Sequence, residues 1–347
     1  MPAFHALTVE RVEPLTDDSA AVTFRVPDEL HEAFAFAPGQ SLTLRRGDQR
    51  RSYSICAAAG RAPRIGVREV AGGAVSSWLV HGVSPGDVVE VQTPSGSFTP
   101  DLGSPAHHVL IAAGSGITPM MSIAASVLAA HSQSTVTLFY GNRRTDSVMF
   151  ADEVSDLKDA YPARMSLVHV LSREAQEVDL FNGRLDAAKL RALLPVTVDV
   201  GAVDHWWLCG PFGMVTDAME VLAELGVERN RVHRELFYVE PEPPAEVHHV
   251  DAPVGPGAEV TVVLDGRSST VIVAPDTAIL DAAQKSRPDL PFACKGGVCG
   301  TCRALVRDGE VTMRRNYALE DDEVEAGYVL TCQALPLSDV VTVDYDA

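Results

Sequence analysis

Cys294-Lys295-Gly296-Gly297-Val298-Cys299-Gly300-Thr301-Cys302, completed far downstream by Cys332, restricts what this chain can fold into more than any other stretch. The spacing is C-x4-C-x2-C and then a distant C, which is the plant-type [2Fe–2S] arrangement, and thiolates are the ligands that iron–sulfur centres take. Gly296, Gly297 and Gly300 let the backbone turn tightly and aim its N–H groups at sulfur. A structural zinc site usually offers paired C-x2-C knuckles, and here there is one such pair. The region around these cysteines is therefore expected to be a small domain built to wrap a cluster.

The chain has 347 residues, enough for two or three cores. Its net charge is −19, with Glu320, Asp321, Asp322, Glu323 and Glu325 concentrated just before Cys332. Binding to a phosphate backbone is disfavoured, so no nucleic acid partner is expected. The acidic run reads either as solvated surface or as a docking patch for a basic protein. Of six cysteines, Cys56 and Cys209 lie in different segments and leave no disulfide framework, which fits a reducing cytoplasm. Met1 to Pro14 carries no export pattern, and the longest apolar region, Val109 to Ala130, is broken by glycines and Pro119, so no membrane span is expected.

Residues 1–104 hold short β-rich runs: Leu7 to Val12, Ala21 to Val26, Ser41 to Arg45, Arg51 to Cys56, Ile65 to Val70 and Val88 to Gln92, separated by Pro and Gly turns. This predicts a small antiparallel barrel. Within it lie Arg51-Ser52-Tyr53-Ser54 and Gly72-Gly73-Ala74-Val75-Ser76. With these two motifs in this order the chain resembles the ferredoxin–NADP reductase superfamily, whose barrel binds FAD. The resemblance implies that Arg51 holds the pyrophosphate, Tyr53 covers the ring, Ser52 and Ser54 face the flavin, and Val67 and Arg68 flank the cofactor tail. Gly73, Val75 and Ser76 would present free helix N–H groups to phosphate.

Residues 105–240 change rhythm. Strands at Val109 to Ala113, Thr135 to Tyr140, Arg164 to Leu171 and Trp206 to Cys209 alternate with helical stretches at Pro119 to Ala130 and Phe150 to Ala160, predicting a parallel α/β nucleotide-binding domain. The first strand runs into Gly114-Ser115-Gly116-Ile117-Thr118-Pro119, a glycine-rich turn opening a helix, where Gly114, Gly116 and Thr118 suit a dinucleotide pyrophosphate. Arg143 and Arg144 follow the second strand where an acid would select NAD, and Ser172-Arg173 ends the third. NADPH is expected rather than NADH. The superfamily resemblance extends to Cys209-Gly210-Pro211, with Cys209 and Gly210 beside the nicotinamide, and to Val232 to Phe237, where it implies a proton-relay role for Glu235 and ring covering by Phe237. It makes Ser54, Cys209 and Glu235 the catalytic group.

Residues 241–256 are rich in proline and read as a connector. Residues 257–347 carry a hairpin signal at Asp265-Gly266, a helix capped by Asp276, and a second hairpin signal at Asp308-Gly309, which together suit the β-grasp fold of plant-type ferredoxins. The tail, from Gly309 through Asn316-Tyr317 and Ala326-Gly327-Tyr328 to Cys332 and Val341 to Asp346, resembles the reductase subunits of bacterial phenylacetyl-CoA epoxidase systems. Reductases of Rieske-type ketosteroid or aromatic-ring hydroxylases share the three-domain order. The resemblance implies electron flow from NADPH to FAD, to [2Fe–2S] held by Cys294, Cys299, Cys302 and Cys332, and on to the subunits of a multicomponent di-iron oxygenase. An electron carrier or zinc-stabilised interaction protein that does not oxidise NADPH is the reading from a different class.

Overall fold

The structure is a computed structural model that describes residues 4–47, 49–237 and 257–347. The chain divides into two compact units, one ending at Tyr238 and the other beginning at Val239. The expected connector, 241–256, lies outside the described residues.

The first unit begins with six strands, β1 (Phe4–Thr16), β2 (Ser19–Arg25), β3 (Ser41–Arg46), β4 (Gln49–Ser54), β5 (Arg64–Arg68) and β6 (Val88–Gln92), with helix α1 (Ala74–His81) between the last two. The order β4-β3-β6-β1-β2-β5 is antiparallel throughout, and a bridge between Ile55 and Ile65 joins the two outer strands, closing a barrel. Alternation drives it: Leu7, Val9, Val22, Phe24, Leu42, Leu44, Val89 and Val91 all turn inward and are buried.

The chain then forms β7 (His107–Ala113), α2 (Ile117–Ala130), β8 (Thr135–Asn142), α3 (Ala151–Ala160), β9 (Met165–Leu171), α4 (Ala187–Thr197), β10 (His205–Gly210), α5 (Phe212–Glu224) and β11 (Val232–Leu236). All five strands are parallel, in the order β11-β10-β7-β8-β9. Val109 to Ala112 and Trp206 to Cys209 are buried on both faces, as a sheet covered by helices requires. The chain proceeds outward from β7 through β8 to β9, then returns to the other side of β7 as β10. The crevice beyond the carboxyl ends of β7 and β10 is thus the switch point, where such folds bind ligands.

The second unit has β12 (Ala258–Leu264), β13 (Arg267–Val273), α6 (Ile279–Ala283), β14 (Arg303–Asp308), β15 (Val311–Met313), α7 (Asp321–Glu325), β16 (Tyr328–Leu330), β17 (Ala334–Pro336) and β18 (Val340–Asp344). The main sheet runs β13-β12-β18-β14-β16, with β12 and β18 parallel, and α6 buries Ile279, Leu280 and Ala283 against it. Two local expectations change. Asp308-Gly309 joins β14 to β15, which belong to different sheets, so it is no hairpin. Gly309 sits there at φ +82°, where an added Cβ would lie 2.3 Å from Val340 O. Helix α6 starts after Ala278, with no side-chain cap, so Asp276 does not cap it.

Candidate cofactor sites

At the flavin end, β4 presents Arg51 to solvent, half-buries Ser52 and Tyr53, and buries Ser54. Ser54 Oγ donates to Glu235 Oε2 at 2.9 Å, linking barrel to parallel sheet. Glu235 stands in register with Cys209 on the neighbouring strand, so Ser54, Cys209 and Glu235 do converge. Their environments differ. The Glu235 residue keeps some accessible surface, yet the protein packed around its carboxyl pushes the pKa up to about 7, with the Ser54 bond opposing. The Cys209 thiol is fully buried in the apolar core, and burial, helped by nearby Glu235, raises it well above the ordinary thiol range. Phe237, just after β11, leaves a large ring 37% exposed.

After β5 the barrel makes a turn leading into α1. Gly72 takes φ +75°, and Ser76 Oγ accepts from Val70 N and donates to Gly73 O, both at 3.1 Å. A Cβ on Gly73 would meet Ser76 Oγ at 2.6 Å, so glycine is needed for this close turn. Val75 and Val67 are buried in the barrel core. Arg51 Nη1 donates to Arg50 O and has no acidic partner among the described residues. Arg68 is more committed: it donates to Ser147 O at 2.7 Å and meets Asp18 at 3.2 Å.

At the switch point, Gly114 takes φ +55° and opens a single 3₁₀ turn into α2. A Cβ on Gly116 would lie 2.1 Å from Cys209 O, so this glycine lets the first turn of α2 press onto the end of β10. A Cβ on Gly210 would meet the flexible end of the Met214 side chain at 2.6 Å and Ala113 N at 3.3 Å. Thr118 Oγ1 donates to Ser115 O at 3.0 Å and stabilises the turn. The two strand-end arginines also come together, since Arg173 N donates to Arg143 O at 2.8 Å. Ser172 is held by Asn142 O, through its amide at 3.0 Å and its hydroxyl at 3.3 Å. The nearby acids are engaged elsewhere: Glu174 accepts from Thr145 N and Oγ1, both at 2.8 Å, and Asp146 pairs with Arg144 at 3.3 Å. The exposed Arg143 and Arg173 guanidiniums have no acidic partner among the described residues.

In the second unit the four cysteines form two pairs. Cys294 lies beside Cys299, and Cys302 beside Cys332. Cys294, which also accepts from Gly296 N at 3.3 Å, is drawn below the ordinary thiol range, as is Cys332; their partners are raised. Among the described residues no three histidine, cysteine or carboxylate side chains converge as one metal ion would require. Together the two pairs would supply the four thiolates that a [2Fe–2S] cluster takes. Lys295, Gly297 and Gly300 all have positive φ, curling the loop around the sulfurs. Residues not singled out in the sequence hold it there: Gln333 Nε2 donates to Lys295 O at 2.9 Å, and Thr331 Oγ1 to Cys302 O at 2.9 Å. The T-C-Q order around Cys332 was the available signal. These donors, glycines and thiols fit a [2Fe–2S] cluster.

Barrel, switch-point crevice and paired cysteines define a flavin- and iron–sulfur-dependent oxidoreductase of pyridine nucleotides. The oxidoreductase FAD-binding domain family matches residues 6–99, the oxidoreductase NAD-binding domain family residues 110–220, and the 2Fe-2S iron-sulfur cluster binding domain family residues 262–337. The chain belongs to the ferredoxin–NADP reductase superfamily, among its reductase components with a C-terminal [2Fe–2S] domain. It is 42% identical to a subunit of the 1,2-phenylacetyl-CoA epoxidase of Escherichia coli strain K12, across 100% of this chain and 99% of that one. It is 34% identical to the 3-ketosteroid-9-alpha-monooxygenase ferredoxin reductase component of Rhodococcus rhodochrous, across 98% and 96%. The solved phthalate dioxygenase reductase shares the fold, with TM-score 0.60 and 22% identity across 98% of each chain.

Proposed function

We propose that this chain is the reductase of a phenylacetyl-CoA 1,2-epoxidase system in the cytoplasm, oxidising NADPH and passing electrons to the di-iron oxygenase subunits. The observation that carries this reading is the end-to-end likeness to the Escherichia coli epoxidase subunit, which spans all three domains. When bound, FAD converts a two-electron hydride into single electrons, and a [2Fe–2S] cluster accepts them one at a time.

The chain's own residues do the binding and orienting. Arg51 and the opening N–H groups of α1 would hold the FAD pyrophosphate, with Gly73, Val75 and Ser76 shaping the turn. Tyr53 and Phe237 would cover the ring from opposite strands, and Ser52, Val67 and Arg68 would line the rest of the site. Ser54 orients the Glu235 carboxyl, which can hold or release a proton near neutral pH because it titrates at about 7. Cys209 contributes through its position: its carbonyl packs against Gly116, bringing the Gly114 to Thr118 turn to Gly210. That turn would take the dinucleotide phosphates. Arg143 and Arg173, with Ser172, would hold the 2′-phosphate that distinguishes NADPH from NADH. Cys294, Cys299, Cys302 and Cys332 would ligate the irons.

The test is reconstitution. Purified chain, NADPH, O2, phenylacetyl-CoA and the epoxidase oxygenase subunits should give the epoxide, with the second oxygen atom reduced to water. A second reading, the reductase of a Rieske-type ketosteroid hydroxylase, has the 34% identity to the Rhodococcus component in its favour. Turnover with Rieske components and none with the epoxidase would establish it.

A further inference from the structure

Several hydrogen bonds fasten the barrel to the parallel sheet, among them Ser54 to Glu235, Arg68 to Ser147 O and Ser122 Oγ to Ala57 O. The bidentate one is Arg64 on β5, whose Nη1 and Nη2 donate to Glu153 Oε2 and Oε1 of α3 at 2.7 and 2.8 Å. Nη2 also meets Glu13 Oε2 of β1 at 3.0 Å, so one guanidinium joins a carboxylate from each half. Only 12% of the Arg64 side chain is exposed, and its guanidinium lies over the Phe150 ring, 5.3 Å from the centroid. Two charge-assisted bonds from a rigid planar fork fix direction as well as distance.

The packing beneath this clamp leaves little freedom. A Cβ on Gly66 would lie 2.5 Å from Thr118 Cγ2 and 2.8 Å from Phe150 Cζ, so β5 approaches the nucleotide half as closely as glycine allows. Phe150 adopts φ +57°, unusual for an aromatic residue, and starts α3 with its ring in this gap. Arg64 is also tied to the flavin strand: Cys56 N donates to Arg64 O at 2.8 Å, two residues beyond Ser54. A shift at Arg64 therefore moves β4 relative to the Glu235 strand.

We propose that Arg64, acting through Glu153 and the contact of Phe150 with Gly66, sets the angle between the barrel and the parallel sheet and hence the hydride-transfer distance. Arg64 is a positioning residue here, and the inference rests on the reductase function proposed above. Glu13 holds the guanidinium from the barrel side, Glu153 receives it, and Phe150 fills the space that a longer side chain at position 66 would occupy.

The test uses the full-length protein carrying FAD and cluster, with Arg64→Met, Arg64→Lys, Glu153→Gln, Gly66→Ala and the double variant of the first and third. Flavin reduction at saturating NADPH should slow about tenfold to 100-fold in Arg64→Met, the range expected of sub-ångström to 1 Å misplacement. The NADPH KM should stay within about twofold, because the nucleotide turn is untouched. Arg64→Lys should recover part of the rate, and the double variant should be no slower than the slower single, since one clamp cannot be lost twice. Hydrogen exchange supplies a readout independent of activity: the Ala59 amide donates across the same boundary to Ser126 Oγ at 3.0 Å and should exchange faster in Arg64→Met and Gly66→Ala. Unchanged exchange in both would overturn the clamp. Faster exchange with an unchanged reduction rate, or a loss confined to KM, would overturn the positioning role. A wild-type chain with bound FAD that does not oxidise NADPH would instead refute the function, with the exchange comparison still reading the clamp.

Discussion

Ser54 and Glu235, separated by 181 positions in the chain, meet at 2.9 Å where the barrel touches the parallel sheet. The pKa of that carboxyl is raised from an ordinary 4.5 to about 7 by burial, with the serine bond pulling it down. The folded state therefore binds this proton more tightly than the unfolded chain does. The associated stability is fully present below about pH 4.5 and is lost as pH rises through about 7. Glu235→Gln should flatten the dependence of melting temperature on pH in that window, and should remove the component of flavin reduction that titrates near 7. Ser54→Ala should move the same titration upward, because it deletes a donor to the charged form. Melting and stopped-flow reduction across pH check both, and a Glu235→Gln profile that overlays wild type would contradict the assignment.

Replacing Cys294, Cys299, Cys302 or Cys332 by serine should abolish the [2Fe–2S] signal while leaving FAD content and NADPH-to-ferricyanide activity largely intact, since the barrel and sheet form a compact unit of their own. Oxygenase-coupled turnover should vanish. Electron paramagnetic resonance of the reduced proteins reads the cluster directly, and a normal signal in all four variants would contradict the ligand set.

The degree to which this was legible follows from where the determinants lie. Glycines in strained turns and cysteines at fixed spacing announce themselves, because Gly116, Gly297 and Cys294 to Cys302 depend on local backbone geometry. The strands of the barrel were likewise readable from alternation, within a few residues at their ends. Helices α4 and α5 carry weaker signals, since α4 mixes Lys, Arg and Pro with its leucines and α5 starts directly after the C-G-P strand end. Arg64 and Phe150 carry no local pattern, and Thr331 and Gln333 carry only the T-C-Q order around Cys332. Their roles arise only when distant segments meet, as Arg64 does with Glu153 or Thr331 with Cys302. The hairpin expected at Asp308-Gly309 failed for a related reason: turn chemistry specifies a bend and does not choose the strand that pairs next.

Arg143→Ala and Arg173→Ala should each raise the KM for NADPH much more than that for NADH. Each removes charge-assisted contacts worth about 1.5–3 kcal/mol to a phosphate that only NADPH carries. The engagement of Glu174 by Thr145 leaves that acid without a claim on either arginine. Steady-state kinetics with both nucleotides decide the matter: equal losses, or a wild type that prefers NADH, would contradict a 2′-phosphate site.

The iron–sulfur unit carries eight basic and fifteen acidic residues over 257–347, and α7 concentrates the acids. Within α7, Glu323 is already occupied: it accepts from Glu320 N at 3.1 Å and pairs with Arg303 at 3.1 Å. Neutralising Asp321, Asp322 and Glu325 therefore tests the outward charge without removing that pair. Electron delivery to the oxygenase should slow in this triple variant and at high salt, since exposed charges are screened over about 8 Å at physiological ionic strength. NADPH reduction of the flavin should change far less. A coupled rate indifferent to both treatments would make the acidic helix ordinary solvated surface.

The visible spectrum of the purified protein tests the central claim most directly. A chain that joins a flavin site to two pairs of cluster cysteines should show flavin absorbance superposed on the broad bands of a [2Fe–2S] centre, and stoichiometric NADPH without air should bleach both. A colourless protein containing zinc, or a flavin that NADPH bleaches while the iron–sulfur bands stay oxidised, would contradict the account.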